Sequence, residues 1–214
     1  MSSSNSLVDP HRSGSLPFRA RQKRWAKLLM VFPDLADMHV LDLGGVASYW
    51  HNAPVQPEHV TLVNLRPYPS ENAITCIAGD ACNPPSEITG TRFDVVISNS
   101  LIEHVGGHVP RTRLADVVHK AADRHWVQTP YRYFPIEPHW VAPGLQFLPF
   151  EARVRATMRW RYGHMQTNDR QVAIDNVNDV ELLGLTQMRD YFGQSIIWTE
   201  RFAGLVKSMV AIRT

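Results

Sequence analysis

Eleven residues, Val40 to Trp50, read VLDLGGVASYW and constrain the fold more than any other stretch of the chain. Val40, Leu41 and Leu43 form a short apolar run of the kind found in a buried strand, and Gly44-Gly45 breaks it at once. Paired glycines let the backbone turn sharply and let a neighbouring group approach closely. Asp42 lies two residues before the first glycine, at the carboxyl end of the strand, where open α/β sheets place their binding crevice. A carboxylate there suits a cationic or hydroxyl-bearing small molecule better than a phosphate. The plainer alternative is an ordinary strand-to-helix turn in which Asp42 only caps a helix.

The pattern after this turn is α/β. Strand-like runs at Val60–Asn64, Ala73–Ile77, Phe93–Ile97 and His125–Gln128 end in small or polar clusters, which lie side by side in a parallel sheet. Trp25, Leu28, Leu29 and Phe32 recur at helical spacing within Phe18–Phe32, and Leu114, Val117, Val118 and Ala121 do so within Pro110–Ala122. A basic helix is expected over Phe150–Tyr162, then a polar linker, then a helix over Thr186–Tyr191 capped by Thr186. The last runs, Ser195–Thr199 and Ser208–Ile212, flank a connection so short that they must pair antiparallel. This gives seven strands, alternating with helices until a final hairpin.

At 214 residues the chain fits one domain with a full core. The Ser-rich residues 1–16 are expected to be a flexible tail and 17–214 the domain. No apolar run approaches the roughly 20 residues that span a bilayer, and the N-terminus lacks the apolar core of a signal peptide, so a cytoplasmic protein is expected. Cys76 and Cys82 are too few for a disulfide framework and read as free buried thiols. A net charge of +2 does not argue for nucleic acid. Arg19, Arg21, Lys23, Arg24 and Lys27 cluster early, and Arg153, Arg155, Arg159 and Arg161 late; each cluster reads as a solvated helix face or, more sharply, as a contact for an anion. Thr129–Pro149 differs from the rest: it has neither period, but holds Pro130, Pro135, Pro138, Pro143 and Pro149 among Tyr131, Tyr133, Phe134, Trp140 and Phe147. Such long, stiff, aromatic loops are usually functional, so 129–149 is expected to meet the acceptor substrate.

LDLGG at 41–45, LVNL at 62–65, GDA at 79–81 and FDVVISNSLIEH at 93–104 stand in an order and spacing that resemble the class I S-adenosylmethionine-dependent methyltransferases. The resemblance covers roughly 18–214. It implies a Rossmann-like, mostly parallel seven-stranded sheet with an antiparallel C-terminal strand and helices on both faces. It also implies a set of cofactor contacts: Asp42, Gly44 and Gly45 at the methionine moiety, Asn64 followed by Leu65 at the ribose, Asp80 and Ala81 at the adenine, and Asn99 beneath the sulfonium. The chain departs from the family pattern at Ala47, the third small position of the glycine turn, and at Asn64, where the family carries an acid. The G-x-G-x-x-G of a dehydrogenase is absent, because the turn reads DLGGVAS.

Methyl transfer to a hydroxyl needs in-line positioning and a general base. His104, in the IEH segment, and His139 with Glu137, in PIEPHW, are the candidates. Asn99 is followed by Ser100, Leu101 and Ile102 rather than by the Pro-Pro-aromatic run of base-amino methyltransferases, which argues against that acceptor class. Small methyltransferases with a loop of this type resemble those acting on sugars, lipids or secondary metabolites. Tyr131, Tyr133 and Trp140 suit stacking on a sugar or flat ring, so the expected acceptor is a sugar or glycan-precursor hydroxyl. Glu103, Glu137, His104 and His139 together offer ligands for a divalent ion such as magnesium that would orient a diol. Two other readings stay open: a non-catalytic scaffold subunit that keeps the pocket, and an RNA methyltransferase working through the basic clusters. The aromatics of the loop leave room for a homodimer.

Overall fold

The computed structural model describes residues 16–66 and 68–214. The tail expected over 1–16 lies outside the described residues except for Leu16, which opens the first helix. In chain order the elements are α1 (Leu16–Val31), β1 (His39–Leu43), α2 (Ala47–His51), β2 (His59–Asn64), β3 (Ile74–Ala78), α3 (Ser86–Thr89), β4 (Val95–Asn99), α4 (His108–Ala121) and β5 (Arg124–Pro130). They continue with β6 (Ile136–Glu137), β7 (Ala142–Pro143), α5 (Phe150–Arg159), α6 (Arg170–Asn178), α7 (Leu185–Tyr191), β8 (Ile196–Phe202) and β9 (Leu205–Arg213).

Seven strands form one sheet in the order β3-β2-β1-β4-β5-β9-β8. The pairs β1–β2, β1–β4, β2–β3 and β4–β5 are parallel, and β9 runs antiparallel to both β5 and β8. The order reverses at β1, where one crossover leads to β2 and a later one brings β4 to its other side. Such a switch point opens a crevice at the carboxyl ends of the strands.

Side chains along β1 alternate between two cores, as a doubly covered sheet requires. Leu41 and Leu43 pack with Leu114 and Val118 of α4 and with Met188 and Phe192 near α7. Val40 packs on the other face with Trp25, Leu28 and Phe32 from α1 and its end. Asp42, in register with Val40, therefore projects toward the α1 face, where Trp50 is also buried. A third, smaller core gathers Trp140, Ala142 and Leu145 with Val154 of α5 and Ala173 and Val177 of α6.

Four expectations need correction. The polar linker contains α6, whose start is capped by Asp169 accepting from the Gln171 and Val172 amides at 2.7 and 3.1 Å. Its sparse apolar residues meet α5 rather than the main sheet, so the stripe is short and easily missed. The cap of α7 is Gly184, not Thr186, with Gln187 Oε1 accepting from the Gly184 amide at 2.9 Å. The loop over 129–149 is not without regular structure: β6 and β7 pair as a two-stranded ribbon, followed by a turn of 3-10 helix at Leu145–Phe147. Cys76 and Cys82 are free thiols but only half-buried.

Candidate active site

The glycine turn is shaped by its neighbours. Gly44 takes a φ of +80°, in the left-handed region, and a Cβ there would lie 2.8 Å from Leu101 Cδ1. A Cβ at Gly45 would fall inside the Asp42 carboxylate. Both glycines are thus required by close approach. Asn64, at the end of β2, ties the turn down: its amide nitrogen donates to the Gly45 carbonyl at 3.0 Å and its Oδ1 accepts from the Arg66 amide at 3.2 Å. A carboxylate could not donate the first of these bonds, which accounts physically for the departure at this position.

Asp42 is 1% exposed. Oδ2 accepts from Trp50 Nε1 at 2.7 Å, whereas Oδ1 has no partner. Asp42 does not cap a helix; its bond is to an indole eight residues on. Burial pushes its pKa up to about 7, against the smaller opposing effect of the Trp50 bond. At the end of β4, Asn99 Oδ1 is likewise buried and unpartnered. Ser100 follows with a φ of +53° and is held by the Gln128 carbonyl, which accepts from its amide at 2.9 Å. Strain of this kind in a non-glycine residue persists where the surroundings impose it. Two orphaned acceptors at adjacent strand ends call for a donor, and a cationic one fits best.

A cleft of about 500 Å³ opens over these strand ends. Gly44, Asn64, Leu65, Asp80 and Ala81 line it, together with Leu101 and His104. Asp42, Gly45 and Asn99 are not among its lining residues; Asp42 lies beneath the glycine turn. Asp80 turns Oδ1 back to accept from the Cys82 amide at 2.8 Å.

Beyond the cleft the structure joins residues far apart in sequence. His104 and His139 face each other with their Nε2 atoms 3.1 Å apart. His139 Nδ1 bonds Glu137 Oε1 at 2.7 Å, and Glu137 Oε2 accepts from the Trp140 amide at 2.9 Å. His104 Nδ1 bonds the Asp179 carbonyl at 3.1 Å, and the Asp179 carboxylate stands 3.3 Å away. A carbonyl only accepts, so Nδ1 of His104 carries the proton; the Glu137 carboxylate fixes the same tautomer in His139. Two lone pairs at Nε2 then confront each other. That arrangement favours the uptake of a proton or a cation between them. Burial lowers the proton affinity of His139, but the Glu137 bond and the charges of Glu137, Glu103 and Asp179 outweigh it and raise its pKa.

Glu103, His104 and His139 bring three ligand atoms within 4.8 Å of one another. Glu103 Oε2 accepts from Thr129 Oγ1 at 2.8 Å, and Oε1 is buried without a partner. Glu137 is left as the Nδ1 partner of His139, the position that supports a metal-bound imidazole in many proteins. Two imidazoles and one carboxylate suit zinc, iron(II) or manganese better than magnesium.

Trp140 is buried and lines a second cavity, Tyr131 is half-buried, and Tyr133 is exposed and stacked on Phe147 with rings 24° apart. Sequence reasoning missed Asp179 because it closes the unrecognised α6. His164 was missed too: its amide donates to the His139 carbonyl at 3.0 Å and the two rings lie 5.6 Å apart.

No protein-family profile matches the chain, and no curated protein sequence does. Solved structures match its shape. One from Listeria monocytogenes, described as a candidate S-adenosylmethionine-dependent methyltransferase, is 12% identical with a TM-score of 0.55, covering 91% of this chain and 99% of that one. The N-methyltransferase NodS from Bradyrhizobium japonicum, in complex with S-adenosylhomocysteine, is 12% identical with a TM-score of 0.54 and 98% of both chains covered. A candidate zinc-dependent alcohol dehydrogenase from Rhodobacter sphaeroides is 12% identical with a TM-score of 0.59, covering 90% of this chain and 89% of that one. Likeness at this identity establishes the fold, and with the order β3-β2-β1-β4-β5-β9-β8 and its antiparallel β9, the chain has the class I S-adenosylmethionine-dependent methyltransferase fold.

Proposed function

We propose that this chain transfers a methyl group from S-adenosylmethionine to a hydroxyl of a small molecule, a sugar or glycan precursor. The observation that carries the reading is the facing His104–His139 pair, where the cleft meets the loop over 129–149. Asp42, Gly44 and Gly45 would hold the methionine portion, Asn64 and Leu65 the ribose, Asp80 and Ala81 the adenine, and Asn99 would lie beneath the sulfonium. The orphaned oxygens of Asp42 and Asn99 fit a ligand that brings an ammonium group and a positive sulfur. Bound there, the cofactor supplies an electrophilic methyl group. The acceptor hydroxyl gives up its proton to the paired Nε2 atoms as the new carbon–oxygen bond forms and the methyl–sulfur bond breaks. Glu137 then stabilises the imidazolium. The exposed Tyr133–Phe147 stack supports a sugar or flat-ring acceptor. A second reading, a divalent cation held by Glu103, His104 and His139 that orients the acceptor, is favoured by the unpartnered Glu103 Oε1.

Calorimetric titration with S-adenosylhomocysteine tests the cofactor assignment. Micromolar binding lost in Asp42→Ala is the expected result; no binding at high concentration overturns it and favours a scaffold role. His139→Ala should leave this binding intact while lowering turnover by about 100-fold or more.

A further inference from the structure

A second cavity, of about 280 Å³, lies between the exit of β5, the β6–β7 ribbon and α5. Arg132 and Arg153 both line it. Their backbones are fixed, the Arg132 amide donating to the Leu183 carbonyl at 2.9 Å and the Arg153 amide to the Pro149 carbonyl at 3.0 Å. Neither guanidinium has a carboxylate within 4 Å among the described residues. Arg153 Nε and Trp140 Nε1 are buried donors with no partner. The two acids that also line the cavity are occupied: Glu181 pairs with Arg111 at 3.1 Å, and Glu137 gives its oxygens to His139 and the Trp140 amide.

Two guanidinium groups without a carboxylate and an unpaired indole N–H outnumber the one unpartnered acceptor of the lining, Gln146 Oε1, and leave an excess of donors and of positive charge. Burial, and then the charge of Arg132, weigh against ionisation of Arg153, and the charge of Glu181 opposes them only in part. An anion between the two arginines removes both costs, and the guanidinium fork matches the paired oxygens of a carboxylate or phosphate.

We propose that this cavity binds the oxyanion of the acceptor, so that the substrate is a hydroxylated molecule carrying a carboxylate or a phosphate. The assignment of the anion to the acceptor rests on the methyl-transfer reading. Glu137 links the two spaces: it lines this cavity and holds His139, which faces His104 on the wall of the cofactor cleft. An acceptor anchored here by its anion presents its hydroxyl toward the histidine pair.

The test is calorimetric titration of the full chain with inorganic phosphate and with sodium acetate, at constant ionic strength set with chloride. Saturable binding of one ion is expected, and the preferred ion separates a phosphate-bearing from a carboxylate-bearing acceptor. Arg153→Gln and Arg132→Gln should each weaken it about tenfold or more, with S-adenosylhomocysteine binding kept as evidence of folding. Arg155→Gln, on the same helix but exposed and paired with Glu151, should bind as the parent does. If Arg153→Gln fails to fold, Arg153→Lys keeps the charge without the fork and should bind more weakly. No saturable binding of either ion, or undiminished binding in a folded Arg153 variant, overturns the proposal. Phosphate or acetate binding without S-adenosylhomocysteine binding would uphold the anion site and overturn the methyl-transfer reading.

Discussion

Asp42 is where one residue sets the chemistry of the cleft. Its carboxylate is held in apolar surroundings with one oxygen satisfied and one not, and burial pushes its pKa up to about 7. A cationic ligand favours the ionised form, so binding is coupled to proton release. S-adenosylhomocysteine affinity should therefore strengthen as pH rises through about 7 and weaken below it, with fewer protons released as the pH rises; titrations in buffers of different ionisation enthalpy read this directly. A flat pH profile for affinity would show that Asp42 is already ionised in the free protein. Gly45 sets a second condition, since a methyl there must displace the Asp42 carboxylate from Trp50. Gly45→Ala should lower stability by about 1–3 kcal/mol and abolish S-adenosylhomocysteine binding, as thermal melts and calorimetry will show. At this scale the sequence was informative: DLGG announces a strand, a turn and an acid at the strand's carboxyl end. It could not show that Trp50 is the acid's partner or that Asn64 also ties down the turn, because both facts depend on contacts between separate elements.

At the scale of elements, the strands of the main sheet were legible because each is a short apolar run ended by glycine or polar residues, and α1 and α4 because their stripes are long. α6 was not, because its buried face is only Ala173 and Val177 and meets α5 rather than the sheet. Yet α6 delivers the chain to Asp179, the partner of His104, and the Glu181 amide then donates to the Glu103 carbonyl at 2.9 Å. The linker is thus part of the site. Asp169→Ala removes the cap at the start of this helix and should cost about 1 kcal/mol in denaturant unfolding. It should also lower turnover more than it lowers S-adenosylhomocysteine affinity. An equal loss of both would mean that α6 supports the whole domain rather than the histidine side of the site.

The whole molecule sets a larger cleft over the ends of β1–β4 beside a smaller cavity that borders the third core, and the His104–His139 contact is the junction between them. The sequence offered both histidines as candidates but not the face-to-face junction they form, since they lie 35 positions apart and neither tautomer can be read from composition. It nonetheless decides between the two mechanisms, because lone pairs 3.1 Å apart take either a proton or a cation. If the pair is the general base, it must be unprotonated at the start of the reaction. Turnover should then fall on the acid side of a midpoint above the ordinary histidine value, in keeping with the raised pKa of His139. Glu137 stabilises the imidazolium, so Glu137→Gln should move that midpoint to lower pH while slowing the maximum rate. If a cation occupies the site, chelation should abolish turnover, zinc or manganese should restore it, and Glu103→Gln should weaken metal binding. A pH–rate profile of the parent and of Glu137→Gln, each before and after chelation, separates the two: a shifted midpoint without chelator sensitivity identifies the base, and chelator-sensitive turnover restored by metal identifies the cation.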